Sequence, residues 1–130
     1  MKKKPKNLPI CPCGSDVPYG ECCGSLLDGA VMADSAVTLM RSRYAAYALG
    51  REAYLLSTWH PATRPAALNL DQDSKWLGLQ VLRHEQQSED QAIVEFVARY
   101  KVNGRAWRLQ ETSRFVRENG HWFYLQGEAS

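Results

Sequence analysis

All four cysteines of the 130-residue chain fall between residues 11 and 24, as Cys11-x-Cys13, eight intervening residues, and then Cys22-Cys23. Four thiolates arriving from the two ends of one short loop form the donor set of a tetrahedral zinc ion, which binds sulfur at about 2.3 Å. The alternative, a pair of disulfides, would demand an oxidising compartment and awkward bonding partners for the adjacent Cys22 and Cys23. Cys11, Cys13, Cys22 and Cys23 are therefore read as ligands of structural Zn2+. Four protein ligands close the coordination sphere and leave no open position for chemistry. So short a segment has little apolar surface to bury, so the metal is expected to supply most of its folding free energy, on the order of 10 kcal/mol. Without metal, residues 11 to 24 are expected to be disordered.

The run Cys11-Pro12-Cys13-Gly14-Ser15, with Tyr19 and the closing Cys22-Cys23-Gly24, resembles the SEC-C motif. That module occurs at the C-terminus of the SecA translocation ATPase and on many other bacterial proteins. In SecA it docks the chaperone SecB and the ribosome. The resemblance implies a protein-docking role here, with ribosome or chaperone components as partners.

Of the formal net charge of +2, Lys2, Lys3, Lys4 and Lys6 contribute four positive charges at the extreme N-terminus, so the remainder of the chain is near neutral or slightly acidic. A domain without a basic face gives no specific nucleic-acid signal. Residues 1 to 10 read as a basic flexible tail broken by Pro5. No apolar run approaches the ~20 residues of a membrane span, and the lysines lead into Pro and Asn rather than a hydrophobic signal core. A reducing cytoplasmic location follows, in agreement with metal-held thiolates.

Beyond the cysteines, Asp34 or Ser35 offers an N-cap for a helix running to about Leu49, with Gly50 as its stop. Val37, Met40, Tyr44, Tyr47 and Ala48 repeat at helical spacing on one face. Arg41 and Arg43 are expected to lay their stems on the core and keep their heads in water. A second helix follows Arg51 and ends by His60, because Pro61 disfavours helical geometry in the residue before it. The segment Trp59 to Pro65 is then a stiff aromatic loop.

From Lys75 the period becomes alternating, in Trp76 to Arg83 and again in Ala92 to Val102. Asn103-Gly104 and Asn119-Gly120 are type I′ turn pairs between alternating runs, so the last three strands form an antiparallel meander. Two-residue turns fix the register, pairing Tyr100 with Trp107, Phe96 with Glu111, and Phe115 with Tyr124. One face then carries Phe96, Ala98, Tyr100, Trp107, Leu109, Phe115, Trp122 and Tyr124, together with Glu111, Ser113 and Gln126. That face is expected to lie under the helices.

Helices followed by a meander with one aromatic face describe an α+β domain whose curved antiparallel sheet packs on helices. The order and lengths resemble the NTF2-like (cystatin-like) cone, over residues 30 to 130, preceded by a SEC-C module over residues 11 to 28. The SEC-C element with Arg43-Tyr44, Tyr47, Thr58-Trp59-His60-Pro61, Arg64, Trp76, Glu111-Thr112-Ser113-Arg114-Phe115 and Trp122-Phe123-Tyr124 is similar to the YchJ family (UPF0225-like), uncharacterised bacterial proteins. Such cones often hold a cavity, and the resemblance implies a pocket for a small molecule or a partner. Its candidate groups are Tyr44, Tyr47, Trp59, His60, Arg64, Trp76, Glu111, Ser113 and Tyr124. A buried carboxylate among aromatics requires a partner or a purpose. Glu111 is thus either paired with Arg41, Arg43, Arg64 or tyrosine hydroxyls, or serves a site. The leading expectation is a zinc-binding accessory protein that docks through its SEC-C module and binds a ligand or partner in its cone. The alternative is a small isomerase, dehydratase or hydrolase using Glu111 or His60 as general base.

Overall fold

The computed structural model describes residues 10–70 and 73–129, which leaves the lysine-rich segment, apart from Ile10, outside the described residues. A single 3-10 turn at Tyr19–Glu21 leads into α1 (Cys23–Leu27), then α2 (Ala36–Leu49) and α3 (Glu52–Ser57). Four strands follow: β1 (Ser74–Ser88), β2 (Gln91–Val102), β3 (Arg105–Glu118) and β4 (His121–Ala129). They form one antiparallel sheet in the order β1-β2-β3-β4.

The start and stop of α2 are encoded locally. Ser35 caps it by accepting from the Thr38 amide at 3.2 Å. At the other end Gly50 adopts φ +72°, and the Arg51 amide donates back to Ala46 O at 2.8 Å. Only glycine takes that left-handed conformation without steric cost. The burial of α2 exceeds its one predicted apolar face, because Leu39, Ser42, Arg43, Ala45 and Ala46 are buried along with Met40 and Tyr44. The helix lies between the sheet on one side and α1 and α3 on the other, so two faces are covered. Its small and polar interior residues are matched to that position: the Ser42 hydroxyl donates to Leu39 O at 2.7 Å and accepts from Tyr54 OH at 2.6 Å.

Both predicted hairpins form, with Asn103 and Asn119 at φ 52° and Gly104 and Gly120 at positive φ. The β2–β3 register places Phe96 opposite Glu111 and Tyr100 opposite Trp107, as the turn chemistry dictates. Three features depart from the sequence expectation. First, β1 runs to Ser88 and a third hairpin joins it to β2, so the meander has four strands rather than three. The far half of β1, His84 to Ser88, is exposed and polar on both faces and therefore carries no alternation. Second, a bulge at Leu125 of β4, opposite the Arg114/Phe115 step, puts Gln126 opposite Arg114 and Gly127 opposite Ser113. The inner face of β4 accordingly presents Gly127, and Gln126 turns out to solvent. Third, Trp107 is 45% exposed. It sits near the β2–β3 hairpin tip, where the Arg105 guanidinium lies 4.5 Å over its ring and takes the place of helix cover.

Further irregularities in β1, at Trp76/Gly78, Val81/Arg83 and Gln86/Ser88, curve the sheet around α2. The core under that curve contains Leu39, Leu55, Val94 and Phe115, each no more than 2% exposed. The cysteine module belongs to the same cluster, through Cys11, Cys13, Cys23 and Leu27.

Candidate functional site

The cysteine sulfurs converge as the spacing requires. Cys11 turns back through its amide, which donates to Val17 O at 2.8 Å, and Gly14 (φ +87°) and Asp16 (φ 62°) supply the reversal. Ser15 Oγ lies 3.1 Å from Cys22 Sγ. The four Sγ atoms all fall within 4.8 Å of one another, with 3.6 Å between Cys13 and Cys22 and 4.0 Å between Cys22 and Cys23. A tetrahedron with metal–sulfur bonds of about 2.3 Å has edges of about 3.8 Å, so the donors fit such an ion with little movement. No disulfide links them. Within the cluster, hydrogen bonding from Cys23 lowers the Cys13 thiol, whereas the Cys23 thiol is pushed up by that same bond and by burial.

The module is clamped onto the body of the protein. Arg41 Nη1 donates to Cys13 O at 3.0 Å, which ties the first ligand loop to α2. Gly24, just after the last ligand, has no room for a side chain. A Cβ there would lie 2.7 Å from Tyr19 O and 2.8 Å from its ring. Tyr19 O also accepts from the Cys22 amide at 3.0 Å, so it cannot yield without moving a ligand. Gly24→Ala is expected to cost about 1 to 3 kcal/mol of stability through overpacking and to weaken metal retention, both measurable by denaturant unfolding with and without chelator. Unchanged unfolding midpoints would contradict it.

The second feature is a cavity of about 270 Å³ between α2 and the inner face of the sheet. Tyr44, Tyr47, Trp76, Glu111, Ser113 and Tyr124 line it, as do Arg43, Met40, Phe96 and Phe115. Trp59, His60 and Arg64 are not among its lining residues. Trp59 stands behind the wall, edge-on to Tyr124 at 4.8 Å. Arg64 Nε donates to Trp59 O at 2.9 Å. His60 accepts at Nδ1 from the Ala62 amide and is therefore protonated at Nε2, which donates to Glu118 at 2.7 Å. The loop carrying these three residues is stitched to β4, where Tyr124 O accepts from the His60 amide and the Tyr124 amide donates to Thr58 O, each at 2.8 Å.

Inside the cavity, Glu111 accepts from Ser113 Oγ at 2.9 Å. No basic side chain among the described residues forms an ion pair with it. Arg41, Arg43 and Arg64, the partners considered from sequence, are all engaged elsewhere. Arg43 is the group that sequence reasoning missed. It is 5% exposed, not water-tipped. Its Nη1 donates to Leu55 O at 2.8 Å and Thr58 Oγ1 at 2.7 Å, and its guanidinium lies 4.5 Å over Tyr124 and 5.2 Å over Trp59. The available signal was its helical spacing, because Arg43 stands three residues after Met40 and four before Tyr47 on the wall-forming face. Burial, then the Glu111 charge, pushes the Tyr124 hydroxyl up to about 12.

Comparison with known proteins agrees with this architecture. The family description "YchJ, middle NTF2-like domain" matches residues 35–127. The chain belongs to the YchJ family. A UPF0225 protein of Chromobacterium violaceum is 55% identical, with 98% of each chain covered. One from Bordetella parapertussis is 50% identical over the same shares. Among solved structures, a SEC-C motif containing protein from Rhodopseudomonas palustris superposes with TM-score 0.83 at 36% identity, covering 94% of this chain and 99% of that one. Another, from Psychrobacter arcticus, gives TM-score 0.78 at 29% identity over 93% and 82%. This YchJ-family chain thus joins a SEC-C cysteine cluster able to hold a metal to an NTF2-like domain. No helix among its described residues is long and apolar enough to cross a membrane.

Proposed function

We propose that this YchJ-family protein is a zinc-stabilised accessory protein of the cytoplasm that docks on ribosomal or chaperone components through the SEC-C module and holds a small organic ligand in the NTF2-like cavity. The cavity itself carries the ligand reading: an aromatic recess open on one side presents a half-buried carboxylate with no paired cation among the described residues, the kind of concave apolar site with a placed polar group that small molecules use. Binding is favoured over turnover because His60 is committed to Glu118 and lies outside the lining, leaving Glu111 without a second acid or base other than tyrosines. Zinc is favoured by the all-sulfur donor set and its closed geometry.

A fragment set of mixed charge, followed through the Trp76 indole resonance, tests the cavity. Some members should perturb it, and silence across the whole set would end the ligand reading. For docking, Ile10 and Val17 are the exposed apolar pair beside the cysteine loop, at 59% and 37% exposure. Replacing both by Asp is expected to leave the fold intact and to abolish co-sedimentation with ribosomes or retention of chaperones. Equal recovery by both forms would remove docking from this surface.

A further inference from the structure

Glu111 is accompanied in the cavity by the faces and edges of Tyr44, Tyr47, Trp76 and Tyr124. Tyr44 and Tyr47 both pack on Trp76, with centroids 5.6 and 5.9 Å away, and Tyr100 backs it at 5.2 Å. Aromatic faces present negative π density and attract cations.

Two details of β4 leave the Glu111 carboxylate open to an occupant. The bulge at Leu125, opposite the Arg114/Phe115 step, turns Gln126 away from the inner face and puts Gly127 there, opposite Ser113. A Cβ at Gly127 would collide with Glu111 Oε2, so any side chain there would push the carboxylate aside. Bulges that re-aim a strand next to a cavity are a recurrent device of functional sites.

Arg43 also borders the cavity, and its charge must be placed before the ligand's sign is decided. Its Nη1 is spent on Leu55 O and Thr58 Oγ1, and its guanidinium lies over the rings of Trp59 and Tyr124. Those contacts hold the cation against the wall, and at 5% exposure it offers little of itself to an occupant. Glu111 has one hydroxyl donor and no ion-pair partner among the described residues, and it is only half-buried, so its carboxylate is the charge an occupant can reach.

We infer that the occupant is a small organic ammonium ion, a primary or methylated amine, whose nitrogen sits on the Glu111 carboxylate and whose hydrocarbon body lies against Trp76 and Phe96. The inference rests on the ligand-binding reading above and specifies its chemical class. A charge-assisted hydrogen bond on a carboxylate combined with ring contact distinguishes an amine from its neutral and anionic isosteres.

The test uses three probes of one shape on the full chain: phenethylamine, 2-phenylethanol and 3-phenylpropionate, titrated while the Trp76 indole resonance is observed. Phenethylamine is expected to bind most tightly, 2-phenylethanol about tenfold more weakly, and 3-phenylpropionate not detectably. Glu111→Gln should weaken phenethylamine about tenfold and leave 2-phenylethanol unchanged. Gly127→Ala, which displaces the carboxylate, should act in the same direction and serves if Glu111→Gln does not fold. Propionate binding as tightly as the amine, or amine binding indifferent to Glu111→Gln, would overturn the ammonium assignment while leaving a ligand cavity in place. Silence from all three probes together with the fragment set would overturn the cavity reading itself.

Discussion

Removing the metal from the four-cysteine site, by chelation or by Cys13→Ser, is expected to destabilise the whole chain rather than to melt the N-terminal loop alone. Cys11, Cys13 and Cys23 are packed into the same cluster as Leu39, Tyr44 and Leu55, and Arg41 holds the Cys13 carbonyl from the middle of α2. Structural zinc contributes on the order of 10 kcal/mol, comparable with the entire stability of a domain this size. Losing it leaves four thiols in a partly apolar setting and frees the loop that covers one side of α2. Purified under reducing conditions, the protein should contain one zinc per chain. Chelation should lower the unfolding midpoint and shift the α2 and β1 backbone resonances as well as those of residues 11 to 24. Resonances of α2 that stay put on chelation would restore the picture of an independent module, and protein free of stoichiometric metal would dismiss the site.

From the sequence alone, metal loss is expected to unfold residues 11 to 24 and leave the later domain largely intact, and the difference is physical. Cysteine spacing reports which sulfurs can meet, because ligand convergence is local. Whether the resulting loop stands apart or packs depends on contacts such as Arg41 to Cys13, 28 positions apart, for which no periodicity speaks. The same division holds in the sheet. Asn-Gly turns dictate the pairing of Phe96 with Glu111 outright, because a two-residue turn leaves one register. The third hairpin, closed around Glu89 and Asp90, lacks such a pair and joins strands whose ends are polar on both faces.

The cavity was legible in its walls and illegible in its details. Tyr44, Tyr47, Trp76 and Tyr124 face it because helical and strand spacings put them there. Alternation carries that argument only until a bulge interrupts it. One extra residue on β4, Leu125, opposite the Arg114/Phe115 step, exchanges Gln126 for Gly127 and so changes what Glu111 meets. His60 and Trp59 looked like pocket residues from their neighbours in sequence. Their loop instead pairs with β4 and turns the histidine toward Glu118.

Arg43→Met is expected to lower stability by about 3 kcal/mol. Methionine keeps much of the stem volume, so the loss isolates the head group. Removing Nη1 leaves Leu55 O and Thr58 Oγ1 to find other donors in a buried place, where each lost charge-assisted bond counts for about 1.5 to 3 kcal/mol. The contacts over Trp59 and Tyr124 vanish as well, each contributing about 0.5 to 2 kcal/mol. Relief from desolvating a guanidinium, whose pKa burial already lowers, offsets part of the sum. Arg43→Lys should recover less than half of the loss, because an ammonium does not spread over two rings while holding two oxygens. Denaturant unfolding measures all three forms. A double-mutant cycle with Glu111→Gln then decides what Arg43 is for. If the guanidinium belongs to the wall, the two substitutions add to within about 0.5 kcal/mol. A coupling well above that would mean that Arg43 neutralises Glu111 through the intervening tyrosines, and the cavity would then have no negative charge to offer an amine.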